Sequence, residues 1–145
     1  MISNTSRYAI RALIYLATKD TGRKKIGIKK IAGELDIPSP FLGKILQTLA
    51  KQKILLSTKG PNGGFCLSDN SGDTNLMEII KIIDGDDLFD RCLVTNKSCS
   101  EQEGNPCALH KHYECIREDI ISMFKQHTIK SLAEEFKSSK GKIDL

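Results

Sequence analysis

The sequence predicts a mainly α fold with one small β-hairpin: a winged helix-turn-helix followed by a long helix. Three observations predict it. Apolar residues recur at helical spacing in three successive segments before residue 52. The second and third segments are separated only by Asp36-Ile37-Pro38. A glycine-rich turn between two short apolar runs follows the third segment directly.

Residues 5–18 form the first expected helix, with Tyr8, Ala9, Ala12, Leu13, Leu16 and Ala17 on one face and Thr5 or Ser6 as its N-cap. Gly22 and Arg23-Lys24-Lys25 make a loop. A short helix over 27–35 buries Ile28, Ile31, Ala32 and Leu35 and turns Lys29 and Lys30 outward. It stops at Asp36-Ile37-Pro38, because the residue before a proline avoids helical geometry.

The third helix starts at Ser39-Pro40, with serine as N-cap and proline at the first helical position, where its missing N–H costs nothing. Its apolar stripe is Phe41, Leu42, Ile45, Leu46 and Leu49, and Gly43, Lys44, Gln47, Thr48 and Lys51 lie mainly on the other side. Strands over 54–58 and 65–68 flank Lys59-Gly60-Pro61-Asn62-Gly63-Gly64, a hairpin whose glycines let backbone N–H groups approach a phosphate.

A fourth helix over 74–83 turns Leu76, Ile79, Ile80 and Ile83 inward and ends at Asp84-Gly85-Asp86-Asp87. Residues 90–106 have no apolar period and read as a loop. From Pro106 a long helix runs to about 126, lined by Leu109, Ile116, Ile120, Met123 and Phe124, a stripe that calls for a partner helix. A last helix covers 128–137, and 138–142 read as a mobile tail.

Charge is unevenly spread. The net charge of +4 divides into twelve Lys/Arg against four acids in residues 1–70, and ten against fourteen in the remainder. A basic N-terminal half suits a polyanion, and equally a solvated basic surface. No apolar run reaches the ~20 residues of a membrane span. Arg7 and Arg11 break the apolar start, which lacks a small-residue cleavage site, so a cytoplasmic location without a secretory signal is expected. No nucleophile–base pair and no phosphate-loop pattern argue for an enzyme.

Four of the five cysteines fall within 92–115, a clustering that points to metal or redox chemistry in a cytosolic chain. The pattern is Cys92, Cys99, Cys107, then His110. Thiolates are soft ligands suited to iron–sulfur clusters and to zinc. Cys107 is expected at a helix N-terminus, which favours thiolate, with His110 one turn on and able to meet the same metal. Cys115 lies ~12 Å further along a straight helix and is left out. Cys66, on a hairpin strand, reads as a small core residue. A structural zinc site and a metal-free thiol redox switch fit the same residues.

Several stretches resemble the Rrf2 family of bacterial transcription regulators: SRYAIRALIYLA at 6–17, IKKIAGELDIPSPFLGKILQTLAKQKIL at 28–55, TKGPNGGFCLS at 58–68 and NPCALH at 105–110. The resemblance covers nearly the whole chain. It implies a homodimer on a palindromic operator in double-stranded DNA, with the recognition helix in the major groove and the wing at the minor groove. By position, the DNA contacts would fall on Ser39, Phe41, Lys44, Lys59 and the wing tip Gly60 to Gly64, including Asn62 and Gly63. Relatives often carry a polar or acidic residue where Gly43 stands, which bears on the operator sequence.

The resemblance also implies that Cys92, Cys99 and Cys107 bind an iron–sulfur cluster. Some relatives add a histidine to a two-iron cluster, the place His110 occupies. Others hold a four-iron cluster with an acidic residue from the partner's N-terminal helix; here that helix has Arg7 and Tyr8, and the first acid is Asp20, which favours the two-iron form with His110. The expected division is 1–84 for DNA binding, 85–106 for the cluster loop and 107–145 for dimerisation, with cluster state controlling operator binding. A plain repressor with a vacant cysteine loop, or an iron–sulfur electron-transfer protein, are the rival readings; the latter leaves the helix-turn-helix and wing unexplained.

Overall fold

The first helix, α1 (Asn4–Thr18), lies at the centre of the chain's packing in the computed structural model, which describes residues 2–19, 23–95, 97–98 and 107–139. Ala9, Ala12 and Leu13 on α1 are fully buried, and the small alanines let neighbouring helices approach closely. The helix is capped by Ser3, whose hydroxyl accepts from the Ser6 N–H at 3.0 Å, rather than by Thr5 or Ser6. Ser3 is drawn there by Asp84: the Asp84 carboxylate accepts from the Ser3 N–H at 3.0 Å and from the Ser3 hydroxyl.

α2 (Ile28–Leu35) buries Ile31, Ala32 and Leu35. It ends as Asp36 enters the left-handed region at φ 52°, which a short polar side chain tolerates. α3 (Ser39–Lys51) buries Leu42, Ile45, Leu46 and Leu49. Its N-cap is Pro38, not Ser39: the Pro38 carbonyl accepts from the Phe41 and Leu42 N–H groups at 3.1 and 3.0 Å, which places Ser39 and Pro40 inside the first turn. Neither proline position forfeits an intrahelical bond, since first-turn N–H groups have no acceptor within the helix.

β1 (Leu55–Thr58) and β2 (Gly64–Leu67) pair antiparallel, with Leu55 opposite Leu67 and Thr58 opposite Gly64. Ile26, between the basic loop and α2, adds a bridge on the free edge of β2, exchanging two backbone bonds of 2.9 Å with Phe65. After a 3₁₀ turn at Ser71–Asp73, α4 (Leu76–Asp84) is capped by Asn75, whose side chain accepts from the Glu78 N–H. A second 3₁₀ turn follows at Asp86–Phe89.

α5 (His110–Gln126) buries no residue completely. Its apolar stripe divides. Ile120, Ile121 and Phe124 pack on Met77, Ile80 and Phe89, with the Phe89 and Phe124 rings 6.1 Å apart. Leu109, Ile116 and Met123 remain exposed. α6 (Ile129–Ser138) then returns to α1, placing Ile129 and Ala133 in the core. Reciprocal bonds between Thr128 and Ser131 cap it, and the Leu76 N–H to His127 carbonyl bond ties its start to α4. Of the expected tail, Ser138 closes α6 and residues 140–142 lie outside the described residues. Among the described residues no helix is long and apolar enough to cross a membrane.

Candidate nucleic-acid interface and cysteine centre

The burial of α3 sets its outward face. With Leu42, Ile45, Leu46 and Leu49 inward, the helical period turns Phe41, Lys44, Gln47, Thr48 and Lys51 to solvent. Ser39 opens this face half-exposed. Phe41, counted in the sequence with the apolar stripe, is 41% exposed and leans edge-on against Tyr8 of α1, with centroids 5.7 Å apart at 88°. Arg11 stands 5.8 Å from the Tyr8 ring centroid, and its guanidinium donates to the Leu35 carbonyl at the end of α2. One chain of contacts therefore runs from α1 to the C-terminus of α2 and the start of α3. Gly43 sits in the α2–α3 seam: a β-carbon there would lie 3.1 Å from Ile28 Cδ1.

The hairpin tip is exposed from Lys59 to Asn62. Gly60 adopts φ +108°, and the Gly63 N–H closes the turn on the Gly60 carbonyl at 2.9 Å. A β-carbon at Gly63 would sit 2.2 Å from the Thr58 carbonyl oxygen, and one at Gly64 2.4 Å from that of Ile26. Gly64 is therefore what admits the Ile26 bridge. A groove lined by Lys29, Thr58, Gly60, Pro61 and Gly63 runs between the wing and the start of α2. Gly27 caps α2 with no side-chain acceptor, and Lys25 donates to the Thr58 hydroxyl at the wing base. The first turn of α2, with Lys25 and Lys29, is thus an anion-favouring surface beside the wing that sequence reading did not single out. Its signal was the Lys24-Lys25 and Lys29-Lys30 pairs flanking Gly27.

The cysteine centre is built on a tight reversal after the second 3₁₀ turn. Phe89 anchors the segment in the α4–α5 seam, and the Arg117 guanidinium of α5 donates to its carbonyl at 3.4 Å. Arg91 and Ser98 then bridge antiparallel, and the Cys92 N–H donates to the Lys97 carbonyl at 3.1 Å. Cys92 is buried inside this reversal. Its sulfur accepts from the Val94 and Thr95 N–H groups at 3.4 and 3.5 Å, and lies 3.5 Å from the Cys107 sulfur. Hydrogen bonds from the Thr95 side chain and the Val94 and Thr95 amides, with a further one from Cys107, outweigh burial and bring the Cys92 thiol down to about 6.

Cys107 departs from its expected position. α5 begins at His110, so Cys107 precedes the helix and contributes its carbonyl, which accepts from the His110 N–H at 2.9 Å. The amides that favour thiolate are therefore those of the reversal around Cys92, not a helix terminus at Cys107. His110 Nε2 lies 3.8 Å from a Glu114 carboxylate oxygen. Among the described residues no three His, Cys, Asp or Glu side chains gather in a metal-holding group, so Cys92 and Cys107 stand together without His110. Cys99 lies outside the described residues. Cys66 is buried under the wing, and Cys115 is exposed on α5.

The paired sulfurs fit a metal. Two thiolates on one tetrahedral ion, with metal–sulfur bonds of ~2.3 Å, stand about 3.8 Å apart. The observed 3.5 Å is close to that separation, and the donor atoms are soft.

The Rrf2 family profile, described as an iron-dependent transcriptional regulator, matches residues 2–135. An HTH-type transcriptional regulator of Aquifex aeolicus is 36% identical over 91% of this chain and 90% of its own length. The HTH-type transcriptional regulator NsrR of Oceanobacillus iheyensis is 26% identical over 86% of this chain and 84% of its own. Among solved structures, CymR of B. subtilis, the global cysteine regulator, superposes with a TM-score of 0.76 at 22% identity, covering 93% of this chain and 97% of that one, a likeness of fold. The profile match and the Aquifex relative show that this chain belongs to the Rrf2 family of DNA-binding transcriptional regulators.

Proposed function

We propose that the chain acts in the cytoplasm as a homodimer on a palindromic operator, and that an iron–sulfur cluster held by Cys92, Cys99 and Cys107 controls its affinity for that DNA. The observation that carries the cluster is the 3.5 Å approach of two sulfurs that are fifteen positions apart in sequence, inside a reversal whose amides stabilise thiolate. The iron-dependent character of the family supports it. His110, one turn beyond Cys107, is the proposed fourth ligand of a two-iron cluster; it would exchange its Glu114 contact for the metal.

Dimerisation rests on α5. Leu109, Ile116 and Met123 are spaced by seven and are 47%, 57% and 47% exposed. That spacing forms the seam along which one helix packs on another copy. Base reading falls to Ser39, Phe41 and Lys44 on α3. Lys59, Gly60, Asn62 and Gly63 of the wing, with the start of α2, hold phosphate.

When bound, the cluster supplies a redox-active, oxidant-sensitive centre. The chain's part is mechanical. Cys107 leads into α5, the proposed dimer helix, while Cys92 follows Phe89, which is wedged between α4 and α5. A metal joining the two sulfurs would tie the start of the dimer helix to the body carrying α3, and so would set the spacing of the two reading heads. Anaerobic reconstitution with iron and sulfide tests this. Visible absorbance with Cys-dependent iron, and an operator affinity that changes with it, is expected. Zinc without visible absorbance would replace the cluster with a structural ion.

A further inference from the structure

We propose that Cys92 and Cys107 form a reversible disulfide when the cluster-free protein meets a hydroperoxide, which makes this pair an oxidation site in its own right. It occupies the residues of the proposed cluster but does not depend on it, since disulfide formation needs only the two sulfurs.

The geometry is close to that of a bond. The sulfurs lie 3.5 Å apart, and bonding at ~2.05 Å requires them to approach by about 1.5 Å. The partners differ in how firmly they are held. Cys92 is fixed by the reversal, through its own N–H to Lys97 and the Val94 and Thr95 amides on its sulfur. Cys107 is half-exposed and precedes α5, outside any helix, so it can supply the movement. The remaining thiols among the described residues are poorly placed to compete: Cys66 is buried in the wing, and Cys115 lies on the exposed side of α5.

The chemistry balances with one peroxide. The Cys92 sulfur attacks a peroxide oxygen, the O–O bond breaks, and water leaves as Cys92 becomes a sulfenic acid. The Cys107 sulfur then attacks the Cys92 sulfur. The S–O bond breaks, and the hydroxyl departs with the Cys107 thiol proton as a second water. Two thiols and hydrogen peroxide give one disulfide and two waters, with two electrons passing from sulfur to peroxide. A dithiol reverses the reaction by exchange.

Each sulfur then serves as the other's partner and is lost to any metal. Metal occupancy and oxidation of the pair are therefore mutually exclusive, and an oxidised chain must be reduced before it can be loaded.

The test uses full-length, cluster-free, anaerobically reduced protein of wild type and of Cys99→Ser, treated with hydrogen peroxide, alkylated and mapped by mass spectrometry. A peptide pair linking Cys92 to Cys107, with the loss of two hydrogens and recovery under dithiothreitol, is expected in both proteins. In Cys107→Ser, Cys92 should stop at a sulfenic acid trapped by dimedone. Links that all require Cys99, or no intramolecular link in Cys99→Ser, would overturn the proposal. Iron loading of wild type is measured separately, so the cluster and the disulfide can fail independently.

Discussion

Tyr8 of α1 and Phe41 of α3 meet edge to face, their ring centroids 5.7 Å apart at 88°. The contact holds an aromatic ring half out of the protein at the start of α3, the proposed recognition helix. A ring left 41% exposed contributes little to the core, so its partner on α1 serves mainly to aim it. Phe41→Ala is expected to cost about 1 kcal/mol of stability or less, yet to weaken operator binding about tenfold, equivalent to ~1.4 kcal/mol. Thermal unfolding and a gel-shift titration separate the two effects; operator affinity that is unchanged removes Phe41 from the DNA face.

Lys44 and Lys59 are exposed on α3 and the wing. Replacing Lys59 with Ala should leave the melting temperature unchanged and lower the slope of log K against log salt by about 0.9, one phosphate's worth, whereas Lys44→Ala should weaken binding to the operator more than to unrelated duplex. Wild-type affinity and salt slope in both variants would mean that this face does not meet the duplex.

The wing rests on a glycine that has no room to change. A β-carbon at Gly64 would lie 2.4 Å from the Ile26 carbonyl oxygen, and the residue sits at φ +152°. Gly64→Ala should break the Ile26–Phe65 bridge, destabilise the domain by on the order of 2 kcal/mol, and reduce operator binding. Far-UV circular dichroism should keep its helical signal while the denaturation midpoint falls.

Asp84 clamps the N-cap of α1 to the end of α4 through Ser3. Burial pushes its carboxyl up, but hydrogen bonds from the Ser3 hydroxyl and N–H outweigh this and hold it below the ordinary carboxylate value. Its stabilisation is therefore fully present above the unfolded Asp range, near ~3.9, and fades as pH falls through the lower folded value. Asp84→Asn should lose about 1–2 kcal/mol at neutral pH, the worth of one or two hydrogen bonds. The difference from wild type should vanish in strong acid, as followed by urea unfolding at a series of pH values.

These cases mark what the sequence could and could not disclose. The inward residues of α2 and α3 were legible because burial imposes a 3.6-residue period that composition records. The Gly60 to Gly63 turn was legible because few residues tolerate it. The true cap of α1 was not: Ser3, Thr5 and Ser6 are all competent caps, and the choice is made by Asp84, eighty-one residues away. Phe41 read as core because its period matched, although the adjacent Leu42 takes the fully buried place. The Ile26 bridge left no signal because a single bridging residue has no periodicity. For the cysteines, ligand type and clustering were visible, but the approach of Cys92 to Cys107 depends on the Arg91–Ser98 reversal, and the later start of α5 depends on a turn closed by the Cys107 carbonyl. Neither leaves a mark in residue spacing.

Regulation by the proposed cluster requires that metal at the cysteine centre be felt by the proposed DNA-reading face. The measurement that tests this most directly is the operator dissociation constant of one anaerobic preparation, before and after loading with iron and sulfide, in wild type and in Cys92→Ser. Visible absorbance and an affinity change of at least about fivefold, the lower end of ordinary coupling energies, are expected in wild type, and neither in the variant. Iron bound with full absorbance but an identical dissociation constant would contradict regulation by the cluster.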